Sequence, residues 1–268
     1  MNGSTRRGED VLSNGIAETS PAIGCERRCD AVRVFEHEPD LLRGLDPATA
    51  ELLHRRVVVP RLQLPCGSWA PPAGADLEGA LGLLVLDGVM SRSVSLQGRC
   101  CAELLGAGDL LRPWDLPPAD DSLAGRCAWR VLEPATLAVL DERFAVVAGR
   151  WPKIIAALLA RGSERSHGLA FHLAIAQIRQ AETRLLMLFW HLAERWGRVT
   201  PGGVALALPL THELLGDLVC LHRPTTSTAL QRLTRAGEIA RCADRGWMLL
   251  GEPPAHDAPR AQRLALAS

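Results

Sequence analysis

The spacing of hydrophobic positions changes three times along the chain. Residues 1–32 show no apolar period and are rich in Gly, Ser, Arg and acids, which predicts a disordered N-terminal arm. Val34 to Leu45, with Phe35 and Leu41–Leu42, reads as a short helical lead-in. From Val57 to Leu140, short apolar runs are separated by Gly, Pro and Asp: RRVVVPRLQL, LGLLVLDGVMSRSVSLQ, CAELLGAGDLLRPW and CAWRVLEPATLAVL. Such runs at near-regular spacing predict antiparallel strands closed into a roll. In the second run, Val89, Ser91, Ser93 and Ser95 alternate with Met90, Val94 and Leu96, which predicts a half-buried strand after a turn at Asp87–Gly88.

Helical spacing takes over at Asp141. Asp141 to Arg150 predicts a short helix, and Pro152 suits the first turn of a much longer one. Beyond it Ile155, Leu159, Gly162, Ser166, Leu169, Leu173 and Ala176 recur in the alternating rhythm of a heptad seam, with small residues in its middle. Such a seam either lies on the helix's own domain or pairs two subunits. AETRLLMLFWHLAERWG then puts Leu185, Leu188, Phe189, Leu192 and Trp196 on one stripe, with Gly197 placed to end the helix.

After a Pro-Gly-Gly loop at Pro201 to Gly203, Thr211 is suited to cap a helix from His212 to Val219. A turn at Cys220 to His222 follows, and Pro224 is expected at the first position of a second helix, 224–235. Ala229, Leu230 and Leu233 form its inner stripe and Gly237 ends it. Strands Ile239 to Cys242 and Trp247 to Leu250 would then meet at a turn in ADRG. Two helices, a three-residue turn and a hairpin make the plan of a winged helix-turn-helix, whose second helix enters the DNA major groove. The candidate DNA-facing residues are Thr211, His212, Arg223, Thr225, Thr226, Ser227, Thr228 and Arg232. Arginine contacts phosphate or guanine, and threonine offers both a hydroxyl and a methyl. The competing reading is that the hydroxyls only cap and solvate a helix start.

Composition narrows the partners. The 268 residues carry no formal net charge, so any nucleic-acid contact must come from a local patch. Between Gly197 and Gly251 six arginines face four acids, and four of those arginines lie on or after the second helix. The polar start lacks the apolar core of a signal peptide, and no run approaches the roughly 18 apolar residues of a membrane span. The expectation is a cytoplasmic, reduced protein without membrane contact. Nucleophile elbow, phosphate loop, zinc-protease helix and paired carboxylates are all missing, which argues against an enzyme.

The helix-turn-helix residues carry a family resemblance. THELLGDLVCLHRPTTSTALQRLTRAGEI, through Thr211, Leu215, Gly216, Val219, Arg223, Thr225, Leu230 and Leu233, resembles the Crp/Fnr bacterial transcription regulators, and the likeness extends over about residues 34–251. LLVLDGVMSRSV and LLGAGDLL are similar to the recurring turns of that family's roll. The resemblance implies an α+β fold. Its parts would be an N-terminal antiparallel β-roll (a jelly-roll, cyclic nucleotide-binding-like sensor) at 33–149, a dimerisation helix at 150–180, a winged helix-turn-helix at 181–251 and a flexible tail at 252–268. It further implies a homodimer paired through Ile155, Leu159, Gly162, Leu169, Leu173 and Ala176 on a pseudo-palindromic double-stranded operator, with RNA polymerase a further candidate partner. By position, Arg223 would contact the operator. The best-known members carry a glutamate and an arginine at the second and third recognition positions; Pro224 and Thr228 stand there in this chain, so their operator does not transfer.

The sensor segment departs further. Cyclic nucleotide binders of the family need a glycine-glutamate pair and a phosphate-binding arginine, whereas RPWDLPPADDSLAG carries prolines and the acids Asp115, Asp120 and Asp121. Those acids repel phosphate, and Arg112 and Arg126 are the only local cations suited to it. Members with an iron–sulfur cluster use N-terminal cysteines plus one in the roll. Cys25 and Cys29, with Cys66, Cys100, Cys101 or Cys127, fall short of that arrangement, since three N-terminal thiols are the pattern and four ligands are needed. The expectation is no cofactor and no metal, with the effector unknown and Cys220 and His222 structural. A redox or metal sensor built on Cys25, Cys29 and the roll cysteines, and a winged helix used for protein contact, are the alternatives.

Overall fold

The apolar runs between Val57 and Leu140 pair as antiparallel strands in a computed structural model that describes residues 30–72, 77–115, 125–242 and 246–254. Seven strands take part: β1 (Ala31–Val32), β2 (Val59–Leu64), β3 (Gly67–Trp69), β4 (Gly82–Leu96), β5 (Arg99–Leu105), β6 (Leu110–Leu111) and β7 (Arg126–Leu140). Their order is β1-β2-β7-β4-β5, with β3 added to β7 and β6 to β4. Leu83, Val85, Met90, Leu105, Leu137 and Val139 fill the interior of the roll. Leu84, Leu86, Ala138 and Leu140 point the other way, because successive strand residues alternate faces. Helices α1 (Val34–His37), α2 (Pro47–Arg56), α3 (Glu142–Ala148) and the start of α4 (Pro152–Ala176) cover that second face.

Several expectations change here. Ala31 and Val32 pair with Pro60 and Val59, so the end of the supposed arm is a strand; residues 1–29, with Cys25 and Cys29, lie outside the described residues. The same holds for Asp120 and Asp121 and for the wing tip, residues 243–245. Helix α2 fills residues 47–56, a stretch between the lead-in and the first apolar run for which the hydrophobic pattern predicts no element. Asp46 caps it by accepting from the Thr49 amide at 2.9 Å, and Pro47 opens it. Asp87–Gly88 is not a turn: β4 runs straight through it while its pairing with β7 shifts register. Gly88 has φ +90°, and a Cβ there would lie 2.6 Å from the Ala135 Cα, so this is a bulge that only glycine fits. The faces beyond the bulge are also reversed. Ser91 is buried and Ser93 and Ser95 half-buried, whereas Val94 and Leu96 are exposed where the β4–β5 hairpin outruns the core.

The long helix α4 turns Ile154, Leu158 and Ile175 inward. Arg161 reaches Glu38 at 2.6 Å and Arg165 reaches Glu103, both from the same inward side. The heptad seam therefore lies on the other side. Leu159 is 71% exposed and Leu173 68%, Gly162 and Ser166 are exposed, and Ile155, Leu169 and Ala176 are half-buried at its edge.

Helix α5 (Ala181–Trp196) buries Leu185, Leu188, Phe189 and Leu192 and runs directly into β8 (Gly197–Thr200) and β9 (Gly203–Leu206). The expected Pro201 to Gly203 loop is the turn of this hairpin. Helices α6 (His212–Leu218) and α7 (Arg223–Arg235) and strands β10 (Ile239–Arg241) and β11 (Trp247–Leu249) complete the described residues. The wing is accordingly four-stranded, in the order β10-β11-β9-β8, rather than a lone hairpin. Val89 and Leu104 of the roll belong to the same apolar cluster as Leu188, Phe189 and Leu230, so roll and C-terminal helices share a core. Arg184 on α5 donates to the Ile178 carbonyl (Nε, 2.7 Å) and to the Val219 carbonyl (Nη1, 3.1 Å).

Candidate nucleic-acid interface

Local chemistry sets the angle between α6 and α7. Thr211 caps α6 by accepting from the Leu214 amide at 3.1 Å. After α6, Cys220 takes a left-handed backbone, φ +55°, and the Leu221 amide returns to the Gly216 carbonyl at 2.8 Å. Gly216 is required at this crossing. A Cβ would stand 2.7 Å from the Leu221 carbonyl oxygen and 3.1 Å from Thr226 Oγ1. Helix α7 begins at Arg223, not Pro224; His222 is its cap residue and Pro224 takes the second position, where a missing amide still costs nothing.

The hydroxyl cluster divides by face. Thr226 is fully buried, and its Oγ1 donates to the His222 carbonyl at 3.2 Å. Its expected DNA-facing role is corrected: the methyl and hydroxyl are used inside the turn. Ala229, Leu230 and Leu233 continue that inner stripe. Thr225 and Thr228 are exposed, and Thr228 Oγ1 donates to the Pro224 carbonyl at 3.1 Å while leaving its lone pairs outward. Arg232 is 67% exposed and one helical turn on, where it pairs with Glu182 at 2.7 Å. Thr225, Thr228 and Arg232 thus share one exposed edge, with Arg223 at its mouth.

The other predicted residues are second to that edge. Thr211 is exposed but its hydroxyl holds the cap. His212 is half-buried, with Nδ1 3.0 Å from Ser227 Oγ, so those two residues brace α6 against α7. Burial, then the nearby charges of Arg241 and Arg223, hold the His212 imidazole below its ordinary range and keep it neutral. Gln231, exposed between Thr228 and Arg232, was not singled out from sequence, although it follows Thr228 by three residues on a helix. Arg241 was also missed. Its guanidinium lies 4.4 Å from the Trp247 ring centroid and donates to the Leu210 carbonyl at 3.3 Å, fixing a cation at the wing.

The sensor side offers less to a phosphate. Arg112 is held by Asp115 and donates to the Ala80 and Leu81 carbonyls at 2.7 and 3.0 Å. Among the described residues, no three His, Cys, Asp or Glu side chains gather as metal ligands. No helix among them is long and apolar enough to cross a membrane.

Comparison with known proteins agrees with this fold. Residues 183–252 match the family model of the Crp-like helix-turn-helix domain. FixK2 from Bradyrhizobium japonicum is similar in structure, with TM-score 0.55 and 18% identity over 78% of this chain and 97% of its own. The c-di-GMP responsive global regulator CLP from Xanthomonas campestris has TM-score 0.54 and 17% identity, covering 72% of this chain and 95% of that one. A CRP-family transcriptional regulator from Thermus thermophilus has TM-score 0.53 and 18% identity, covering 71% and 92%. No curated protein matches the sequence significantly. The chain therefore carries a Crp-like helix-turn-helix domain, residues 183–252, within the fold of the Crp/Fnr transcription regulators.

Proposed function

We propose that the chain is a transcription regulator that binds double-stranded DNA as a homodimer, one α7 per half-site, and that it is not an enzyme. The observation that carries the reading is the exposed edge of α7, where Arg223, Thr225, Thr228 and Arg232 stand clear of the core beside a turn fixed by Gly216. Arg223 sits at the helix mouth, where free backbone amides add attraction for phosphate. Pairing is assigned to the outward seam of α4, because Leu159 and Leu173 leave an apolar stripe that the described residues of a single chain do not cover. Two paired helices would set two α7 copies at a fixed spacing and so select a pseudo-palindrome. Action in the cytoplasm and contact with RNA polymerase follow from this role rather than from any one residue.

The test is binding of the full chain to genomic fragments, wild type against Arg223→Ala, at several salt concentrations. Wild type should bind with an affinity that falls steeply with salt, and the variant should bind at least about tenfold more weakly. Equal binding by both removes α7 from the interface. A salt-independent association with a protein, and no DNA binding, would replace this reading with a protein-contact module.

A further inference from the structure

Cys101 and Cys220 bring their sulfurs to 2.9 Å of each other across the seam between roll and helix-turn-helix, although 119 residues separate them in sequence. Cys101 lies on β5 opposite Val94 of β4, close to the end of that hairpin. Cys220 is the left-handed residue of the turn between α6 and α7. Both are free and exposed. A disulfide bond is about 2.05 Å long, so closing this pair requires a sulfur shift of under roughly 1 Å. The hairpin tip, Gly98 and Arg99, lines one cleft with Glu213, Asp217 and Arg223 around the two sulfurs.

We propose that Cys101 and Cys220 form a reversible disulfide on exposure to a hydroperoxide, tying the β4–β5 hairpin to the helix-turn-helix and lowering affinity for DNA. The last step rests on the DNA-binding role proposed above; the cross-link does not. The attachment point is three residues before Arg223, and Arg99 lines the same cleft as Arg223. A tied hairpin therefore stays at the mouth of α7, where the duplex backbone would have to pass.

The chemistry balances in two displacements. The Cys220 sulfur attacks one peroxide oxygen: an S–O bond forms, the O–O bond breaks, and the leaving oxygen takes the thiol proton to become water or alcohol. The Cys101 sulfur then attacks the sulfenic sulfur: the S–S bond forms, the S–O bond breaks, and the departing hydroxide takes the Cys101 proton as water. Two thiols are oxidised and one peroxide is reduced. Burial, then the hydrogen bond with Cys220, pushes the Cys101 thiol up to about 11, which disfavours it as the thiol that starts the reaction. Small thiols reverse the step because the bond lies at the surface.

The experiment treats full-length protein with hydrogen peroxide, blocks the remaining thiols, and maps peptides by mass. The expected product is an intramolecular link joining Cys101 to Cys220 with loss of two hydrogens. It should be absent from Cys101→Ser and Cys220→Ser and present in Cys100→Ser. A randomised duplex pool, selected with reduced wild type, then serves as the DNA probe. Oxidised wild type should bind it at least about tenfold more weakly, the scale of one lost arginine contact, and recover with dithiothreitol, while both serine variants stay insensitive. Either sulfur paired elsewhere, a link between two chains, or both thiols still free would overturn the proposal. A correct link with unchanged affinity overturns its regulatory half. Reduced protein that selects no DNA overturns the DNA-binding role instead, and leaves the cross-link to be judged on mass alone.

Discussion

Glu103 on β5 receives both Nε and Nη2 of Arg165 on α4, at 3.1 and 2.7 Å, and its carboxylate also pairs with Arg92. Glu103 is only 5% exposed, so this fork joins roll to long helix in a largely dry setting. Removing the carboxylate deprives two half-buried guanidinium groups of their direct ion-pair partner. Glu103→Ala should lose about 3 kcal/mol of folding stability, and Glu103→Gln less, because the amide still accepts hydrogen bonds. Urea unfolding of both variants against wild type measures this, and a loss below about 0.5 kcal/mol for the alanine variant would show the fork to be inert.

The division of the threonines by face separates stability from binding. Thr226→Ala should cost about 1–2 kcal/mol, since it removes a buried methyl and a hydroxyl bonded to the His222 carbonyl. Thr225→Ala and Thr228→Ala should stay within about 0.5 kcal/mol of wild type in stability yet weaken DNA binding. Unfolding curves and binding isotherms on the same three proteins decide it; a reversed pattern would reverse the assigned faces.

Gly216→Ala should destabilise by about 1–3 kcal/mol, because the new methyl meets the Leu221 carbonyl with no flexible neighbour able to yield. Thermal unfolding gives the value, and a neutral substitution would mean that α6 and α7 cross less closely.

Leu159→Asp with Leu173→Asp should convert the proposed dimer to monomer while leaving the fold intact, since both side chains stand clear of their own core. Sedimentation velocity with circular dichroism reads both outcomes. A variant that still sediments as a dimer would move the interface elsewhere.

His172 gives stability a pH dependence. Burial, then the proximity of His191, depresses its imidazole to about 4, against 6.5 in the unfolded chain; Glu103 pulls weakly the other way. The unfolded chain therefore takes up a proton that the folded one refuses. The contribution is complete above pH 6.5 and is lost as pH falls toward 4, by at most about 3 kcal/mol. Unfolding at pH 7.5 and pH 5 should show a smaller difference in His172→Leu than in wild type.

Much of the fold was legible because burial writes itself as period. The inner stripe of α7 falls at Thr226, Ala229, Leu230 and Leu233, the helical spacing itself, and that spacing alone is enough to turn Thr226 inward. Helix α2 was not legible, since Leu53 is its one buried side chain and no stripe forms. β8 was hidden because Val199 faces solvent at 84% exposure and a four-residue strand carries too few positions to alternate. The Asp87–Gly88 pair reads the same in a turn and in a bulge; what distinguishes them is the neighbouring strand β7, which local sequence cannot supply. The pairing of Cys101 with Cys220 is of that kind too, a contact made by tertiary packing alone.

Arg184 sets how motion would travel. One end of its guanidinium grips a carbonyl in the link between α4 and α5, and the other grips a carbonyl at the end of α6. Link and turn are thereby held at a fixed spacing, like two pins on one crank. Any displacement of the four residues that follow α4 is therefore opposed by a bond to the turn that precedes α7, and Arg184 is the side chain that joins the end of the long helix to the approach to Arg223.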